Sequence, residues 1–161
     1  MIAGVRNPED ETSRSLSSLP TGAGSKLIVV KLDSTSDTDA PAAISKLESE
    51  HGVTALDVVV ANAGIGRLGR LLDSPLEHIV EQNDVNVLGP LRLLQASAPL
   101  LKKAAKPRFV VISSAAGSVA SVGNFALPNG SYSASKAAIN SLTRKVHFEE
   151  EWLIAFPLHP G

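Results

Sequence analysis

Three short apolar runs constrain this 161-residue chain more than any other feature. Leu27-Ile28-Val29-Val30-Lys31-Leu32, Leu56-Asp57-Val58-Val59-Val60-Ala61 and Phe109-Val110-Val111-Ile112 are rich in β-branched residues and close to continuously apolar. A strand with one wet face alternates apolar and polar positions, whereas an unbroken run reads as a strand buried on both faces, the usual state in a parallel sheet. Helical patterns lie between the runs. One occupies the region from Thr38 to His51 with Gly52 as its stop. Another opens at Pro75 and carries Leu76, Ile79 and Val80, and Leu91, Leu94 and Leu100 continue its apolar surface toward Lys102-Lys103. Near the start, Ile2-Ala3-Gly4-Val5-Arg6 reads as a strand ending in an arginine, and Asn7-Pro8-Glu9 has the cap, proline and acid of a helix start. The alternation predicts an α/β fold with a doubly wound parallel sheet.

With 43% hydrophobic and 19% charged residues, the chain is not compositionally disordered, and a single domain over residues 1–161 is expected. A formal net charge of −1 gives no electrostatic reason to expect nucleic acid or an anionic membrane as a partner. The absence of cysteine excludes disulfides and thiolate chemistry. His51, His78, His147 and His159 lack metal-ligand spacing, so no metal site is expected. The amino terminus turns acidic at Glu9-Asp10-Glu11 without a readable leader, and a cytoplasmic location is the expectation. Val85 through Leu101 is the longest apolar region; Asn86, Pro90, Arg92 and Pro99 interrupt it, which predicts a packed helix pair rather than a membrane span.

The chemistry concentrates in the second half. Tyr132 and Lys136 are four apart, so on a helix they share one face about a turn apart. A free tyrosine, with a pKa of about 10, is a reluctant acid or base near neutrality, and a neighbouring cation favours its phenolate. Ser114 follows the Phe109–Ile112 run, at a strand carboxyl end, where open α/β sheets bind ligands; Ser113 is its rival. Asn62-Ala63-Gly64 ends the Leu56–Ala61 run in a small-residue turn that a flat ligand can approach. Asn86 sits among helical apolar positions, where an asparagine often only bonds nearby backbone.

In order and in strand and helix context, Asn62-Ala63-Gly64, Asn86, Ile112-Ser113-Ser114, Tyr132-x-x-x-Lys136 and Pro160-Gly161 resemble the short-chain dehydrogenase/reductase family. The segment from Ser114 through Trp152-Leu153-Ile154-Ala155-Phe156-Pro157 looks most like its fungal norsolorinic acid ketoreductase-like branch. The resemblance implies a Rossmann-like dinucleotide-binding domain. It makes Tyr132 the proton donor to a carbonyl oxygen, Ser114 the group that polarises that oxygen, and Lys136 the residue that binds the nicotinamide ribose and depresses the tyrosine pKa. Asn86 matches a helix residue that holds a relay water. Asn62, Ala63 and Gly64 match the turn near the adenosine ribose, and Pro160 and Gly161 match backbone facing the nicotinamide. Asp33 matches an adenine-contacting aspartate, although with Ser34 and Thr35 it also suits a simple turn cap. Arg6 stands where such folds discriminate the ribose; it suits a 2′-phosphate and favours NADP over NAD, unless it is a solvated arginine before a helix. The helices carrying Asn86 and Tyr132 commonly meet their copies in this family, which implies a homo-oligomer.

Two features depart from the family pattern. Val122 through Gly130 is longer than usual between Ser114 and Tyr132, and its proline and glycines predict a loop. No Gly-rich turn follows a first strand, so the chain is expected to begin at the family's second strand and to stop at Pro160-Gly161 before a substrate lid and last edge strand. Thr21-Gly22-Ala23-Gly24 precedes a strand rather than joining strand to helix, and reads as a loop. The leading expectation is an NADP-dependent carbonyl reductase or alcohol dehydrogenase moving a hydride between nicotinamide and a small-molecule ketone or alcohol, under the branch resemblance a polyketide or aromatic secondary metabolite. The alternatives are a noncatalytic remnant and an interaction subunit whose sheet is completed by another chain.

Overall fold

The computed structural model describes residues 1–161. Its five strands are all parallel. β1 (Ile2–Val5) pairs with β2 (Ile28–Lys31), Ile2 opposite Ile28 and Val5 opposite Lys31. β3 (Val58–Ala61), β4 (Arg108–Ile112) and β5 (Ile154–Leu158) form a second sheet in that order, with Val58, Arg108 and Ile154 side by side. The three apolar runs are β2, β3 and β4. β5 has Pro157, which lacks an N–H, and accordingly lies at a sheet edge. The αβ alternation is the Rossmann-like arrangement expected of the sequence, in the order β2-β1 and then β3-β4-β5.

The helices follow the same logic. α2 (Asp39–His51) ends at Gly52, whose φ of 64° is the left-handed C-terminal stop that a side chain would strain. α3 (Leu76–Asn83), a π-helical turn over Asp84–Leu88 and α4 (Gly89–Leu101) run on without a break. The expected helix pair is therefore one long helix. Pro90 cannot donate to the carbonyl of Asn86 four residues back and its ring crowds that carbonyl; widening the turn relieves both problems without ending the helix. α5 (Gly130–Glu149) carries Tyr132 and Lys136. The Asn7-Pro8-Glu9 start is displaced: α1 covers only Glu11–Arg14, because Asn7 instead bonds Asp10 and the Glu9 N–H in a preceding turn. The loop before α5 is a loop except for one 3₁₀ turn at Val122–Asn124, and it is anchored by the Gly69 N–H on the Pro128 carbonyl at 2.7 Å.

The chain packs around two separate apolar clusters. Ala61, Phe109, Val111 and Ala155 from the three-stranded sheet meet Leu101, Ile139 and Leu153 in the larger. Val30, Ala43 and Leu47 form the smaller, under β1, β2 and α2. β1 and β3 are each hydrogen-bonded to a neighbouring strand on one side only. Between the sheets lies an apolar cavity of about 550 Å³ whose walls include Ile2, Val30, Leu47, Val58 and Leu93. The face of β3 and β5 turned away from the large cluster is open, with Val60 48% and Phe156 38% exposed. Parallel sheets normally bury both faces; here the second face is closed only at Val110 of the central strand.

Arg92 on α4 is the main polar tie between the halves. Its guanidinium donates to Asp37 Oδ1 at 2.5 Å and to the Ser34 carbonyl at 3.0 Å after β2, and to Asp84 Oδ1 at 2.7 Å in the π turn. These bonds, that to Asp84 foremost, hold the arginine firmly protonated. Arg92→Met should cost about 2 kcal/mol in urea unfolding, the scale of a charged hydrogen-bond set that is partly solvated. Hydrogen exchange in residues 28–51 should quicken first; uniform quickening along the chain would refute the tie.

Candidate active site

The strand ends of the second sheet place the candidate residues. Ser114 follows β4 and caps a short 3₁₀ turn at Ala115–Gly117, its Oγ accepting from the Ala116 N–H at 3.2 Å. Ser113, the rival, is buried and donates its hydroxyl to Asn140 Oδ1 of α5 at 2.6 Å. Ser113 is thereby committed to holding strand against helix, and Ser114 keeps the hydroxyl proton free of protein partners. Gly117 permits this close packing, because a Cβ there would lie 2.8 Å from the Lys136 backbone.

Lys136 is only 4% exposed. Its Nζ donates to the Ile112 carbonyl at the end of β4 at 2.8 Å and lies 5.6 Å from the centre of the Tyr132 ring. Burial pushes the ammonium below the usual lysine range. Asn86 is equally enclosed. Its Oδ1 accepts from the Ile65 N–H at 2.8 Å, and its Nδ2 donates to the Ile65 carbonyl and to Ser135 Oγ of α5. Asn86 is thus a structural clamp through its side chain, while Pro90 leaves its backbone carbonyl without an α-helical donor. Gly64 lies over both residues: a Cβ there would sit 3.1 Å from Asn86 Oδ1 and 3.4 Å from Lys136 Nζ.

A second group lines a cavity of about 160 Å³ at the strand ends of both sheets. Asp33 and Ser34 come from the loop after β2, Gly4 from β1, and Asn62 and Ala63 from the loop after β3. Asp33 is the turn cap that its neighbours suggested, since its Oδ1 accepts from the Thr35 N–H and Oγ1. Those bonds, with a smaller contribution from Arg6, hold its carboxyl below the usual range. Arg6 itself is exposed after β1, near enough to Asp33 to act on its carboxyl. Pro160 and Gly161 follow β5 and are exposed. Thr21-Gly22-Ala23-Gly24 leads into β2 as an exposed turn, with the Ser25 N–H on the Gly22 carbonyl.

These residues could hold the two ends of a dinucleotide: the cavity offers a carboxylate and small residues with an arginine near the carboxylate, and Lys136, Asn86 and Gly64 form a tight polar cluster at the other end. Sequence reasoning missed Gln82, Asn140 and Arg92. Gln82 donates to Ser131 Oγ on α5 at 2.7 Å and accepts from the Arg67 N–H at 2.9 Å. The available signal was the four-residue spacing of Gln82 and Asn86 facing that of Ser131 and Ser135.

Two expectations separate structural from chemical groups. Ser113→Ala should lower unfolding stability by about 1 kcal/mol and Ser114→Ala by less than about 0.5 kcal/mol in urea titrations; the reverse order would reassign them. Because Lys136 is depressed in the folded state, the unfolded state binds the extra proton between the folded value and about 10.4, so stability rises with pH across that window. The Tm of the native chain minus that of Lys136→Met should therefore climb as pH approaches 10, and a flat difference would refute the buried ammonium.

The model of the family described as short chain dehydrogenase matches residues 1–152. Norsolorinic acid ketoreductase of Dothistroma septosporum is 42% identical over 165 residues, covering 100% of this chain and 61% of the relative. The norsolorinic acid ketoreductase of Aspergillus parasiticus is 40% identical, covering 100% and 60%. The chain thus spans about 60% of the length of these curated relatives. Among solved structures, NADPH-bound carbonyl reductase from chicken fatty liver superposes with a TM-score of 0.89 at 31% identity, over 99% of this chain and 67% of that one. With this match over most of its length, the chain belongs to the short-chain dehydrogenase/reductase family.

Proposed function

We propose that this chain supplies the carbonyl-handling site of an NADP-dependent ketone reductase, and that its substrate is a polyketide-type or other aromatic ketone. The observation that carries the reading is the Tyr132 and Lys136 pair, with the Lys136 ammonium buried against the Ile112 carbonyl beside the Tyr132 ring. The ketoreductase relatives and the NADPH-bound neighbour support it.

A bound nicotinamide nucleotide would supply the hydride. Ser114, with its hydroxyl proton uncommitted, holds the substrate oxygen in line. Tyr132 gives that oxygen its proton as negative charge develops. Lys136 stands beside the phenol, so its positive charge stabilises the phenolate left behind. It is positioned to hold ribose hydroxyls as well. The Asn86 carbonyl, to which Pro90 cannot donate, would accept from a water that returns a proton to this relay. At the other end Asp33, Asn62 and Ala63 would bound the adenosine, and Arg6 would read a 2′-phosphate. Pro160 and Gly161 would face the nicotinamide, and the helices bearing Asn86 and Tyr132 would pair two copies of the chain.

The two unpaired parallel edges of β1 and β3 favour a second reading, in which the chain works only after a strand from another chain fills the cleft. Calorimetry of the purified chain with NADPH and NADH decides between them. Saturable binding of NADPH at least tenfold tighter than NADH is expected, the preference lost in Arg6→Leu, and Tyr132→Phe should lower turnover at least 100-fold with NADPH affinity kept. A folded chain that binds neither nucleotide would sink the reading for the chain on its own.

A further inference from the structure

Asn86 and Gln82 form a two-rung ladder. Gln82 is fully buried, and its amide is fully engaged: Oε1 accepts from the Arg67 N–H at 2.9 Å, and Nε2 donates to the His78 carbonyl at 3.0 Å and to Ser131 Oγ at 2.7 Å. One turn later Asn86 repeats the pattern with Ile65 and Ser135. The spacings match across three elements. Four residues of α-helix rise about 6 Å and two residues of extended chain span about 6.6 Å, spacings close enough for both rungs to close together. Each serine immediately precedes one member of the reactive pair, Ser131 before Tyr132 and Ser135 before Lys136.

The upper rung also reaches Tyr132 from its other side. Gly66, the residue before Arg67, faces the tyrosine ring, and a Cβ at Gly66 would lie 3.5 Å from Tyr132 Cδ2. Gln82 therefore holds the backbone before the ring and the loop against the ring with a single amide. A buried amide is costly unless every group is paired, and an apolar side chain of the same length would fill this space without that demand. We propose that Gln82 is a positioning residue that fixes the place of the Tyr132 ring through Ser131 and the 64–67 loop, without touching substrate. The proposal rests on the reading of Tyr132 as proton donor, but its geometric content stands apart from activity.

Tyr132 is the chain's one tyrosine, so ¹³C-tyrosine labelling yields ring signals that need no assignment. Those signals should be recorded for the native chain, Gln82→Met, Ser131→Ala and the double variant, with Thr143→Val as a control. Thr143 is a buried hydroxyl on α5 that bonds only the Ile139 carbonyl. Gln82→Met and Ser131→Ala should each shift and broaden the ring signals, and the double variant should add little beyond Gln82→Met. With NADPH and 9,10-phenanthrenequinone, kcat should fall 10- to 100-fold, the scale of a displacement of about 1 Å, with KM for the quinone within about threefold. Thr143→Val should lower Tm without moving the ring signals or kcat. Unchanged ring signals in Ser131→Ala and Gln82→Met, or losses that follow Tm as in Thr143→Val, would overturn the proposal. Should Gln82→Met not fold, Ser131→Ala decides alone. If the native chain turns nothing over, the ring signals still decide this proposal while the reading of function fails separately.

Discussion

The main-chain ladder joining β3, β4 and β5 is the constraint from which the site hangs. Its register sets Val58 beside Arg108 and Ile154, so the three strands finish within one residue of one another, at Ala61, Ile112 and Leu158. Asn62, Ser113 and Ser114 therefore emerge on one rim. α5 crosses that rim because Gly117 admits its backbone and Asn140 takes the Ser113 hydroxyl. The Ile112 carbonyl, left at the strand end, becomes the acceptor for Lys136. A slip of one residue in β4 would turn every one of its side chains to the opposite face and undo each of these contacts.

Several polar side chains around Tyr132 and Lys136 are buried, and no buried side-chain nitrogen or oxygen lacks a partner. Gln82, Asn86, Ser131, Ser135 and Lys136 are enclosed and bonded to one another or to backbone. Apolar packing alone would tolerate a range of helix placements, since dispersion contacts are individually weak and non-directional. Directional bonds in a low-dielectric setting tolerate far fewer. The buried lysine ammonium is bonded to the Ile112 carbonyl beside the Tyr132 ring.

Much of the fold was legible because its signals are local. Continuous apolar runs identify buried parallel strands, and Gly52 marks the end of α2 in the one conformation where glycine is needed. That Tyr132 and Lys136 share one helix and that Ser114 follows a strand was legible from spacing and strand context. What escaped depends on contacts distant in sequence. The fusion of two expected helices came from a backbone adjustment around Pro90 that no propensity encodes. Ser113 and Ser114 are equivalent in sequence and separate only once Asn140, on another element, claims one of them. Gln82 looked like an ordinary helical polar residue because Ser131 and Arg67 lie far from it along the chain. β5 was hidden by Pro157, which argues against a strand until the strand is known to lie at an edge.

The cavity at the joint of the two sheets has walls from both halves of the chain: Gly4, Leu32 and Asp33 belong to one, and Ala61, Asn62 and Pro90 to the other. Apart from the Arg92 ties and helix contacts, little else joins them. Any molecule filling that cavity would touch both halves at once and act as a crosslink between them. Cooperativity of unfolding would then depend on ligand concentration, since a ligand that binds only the joined halves favours their melting together.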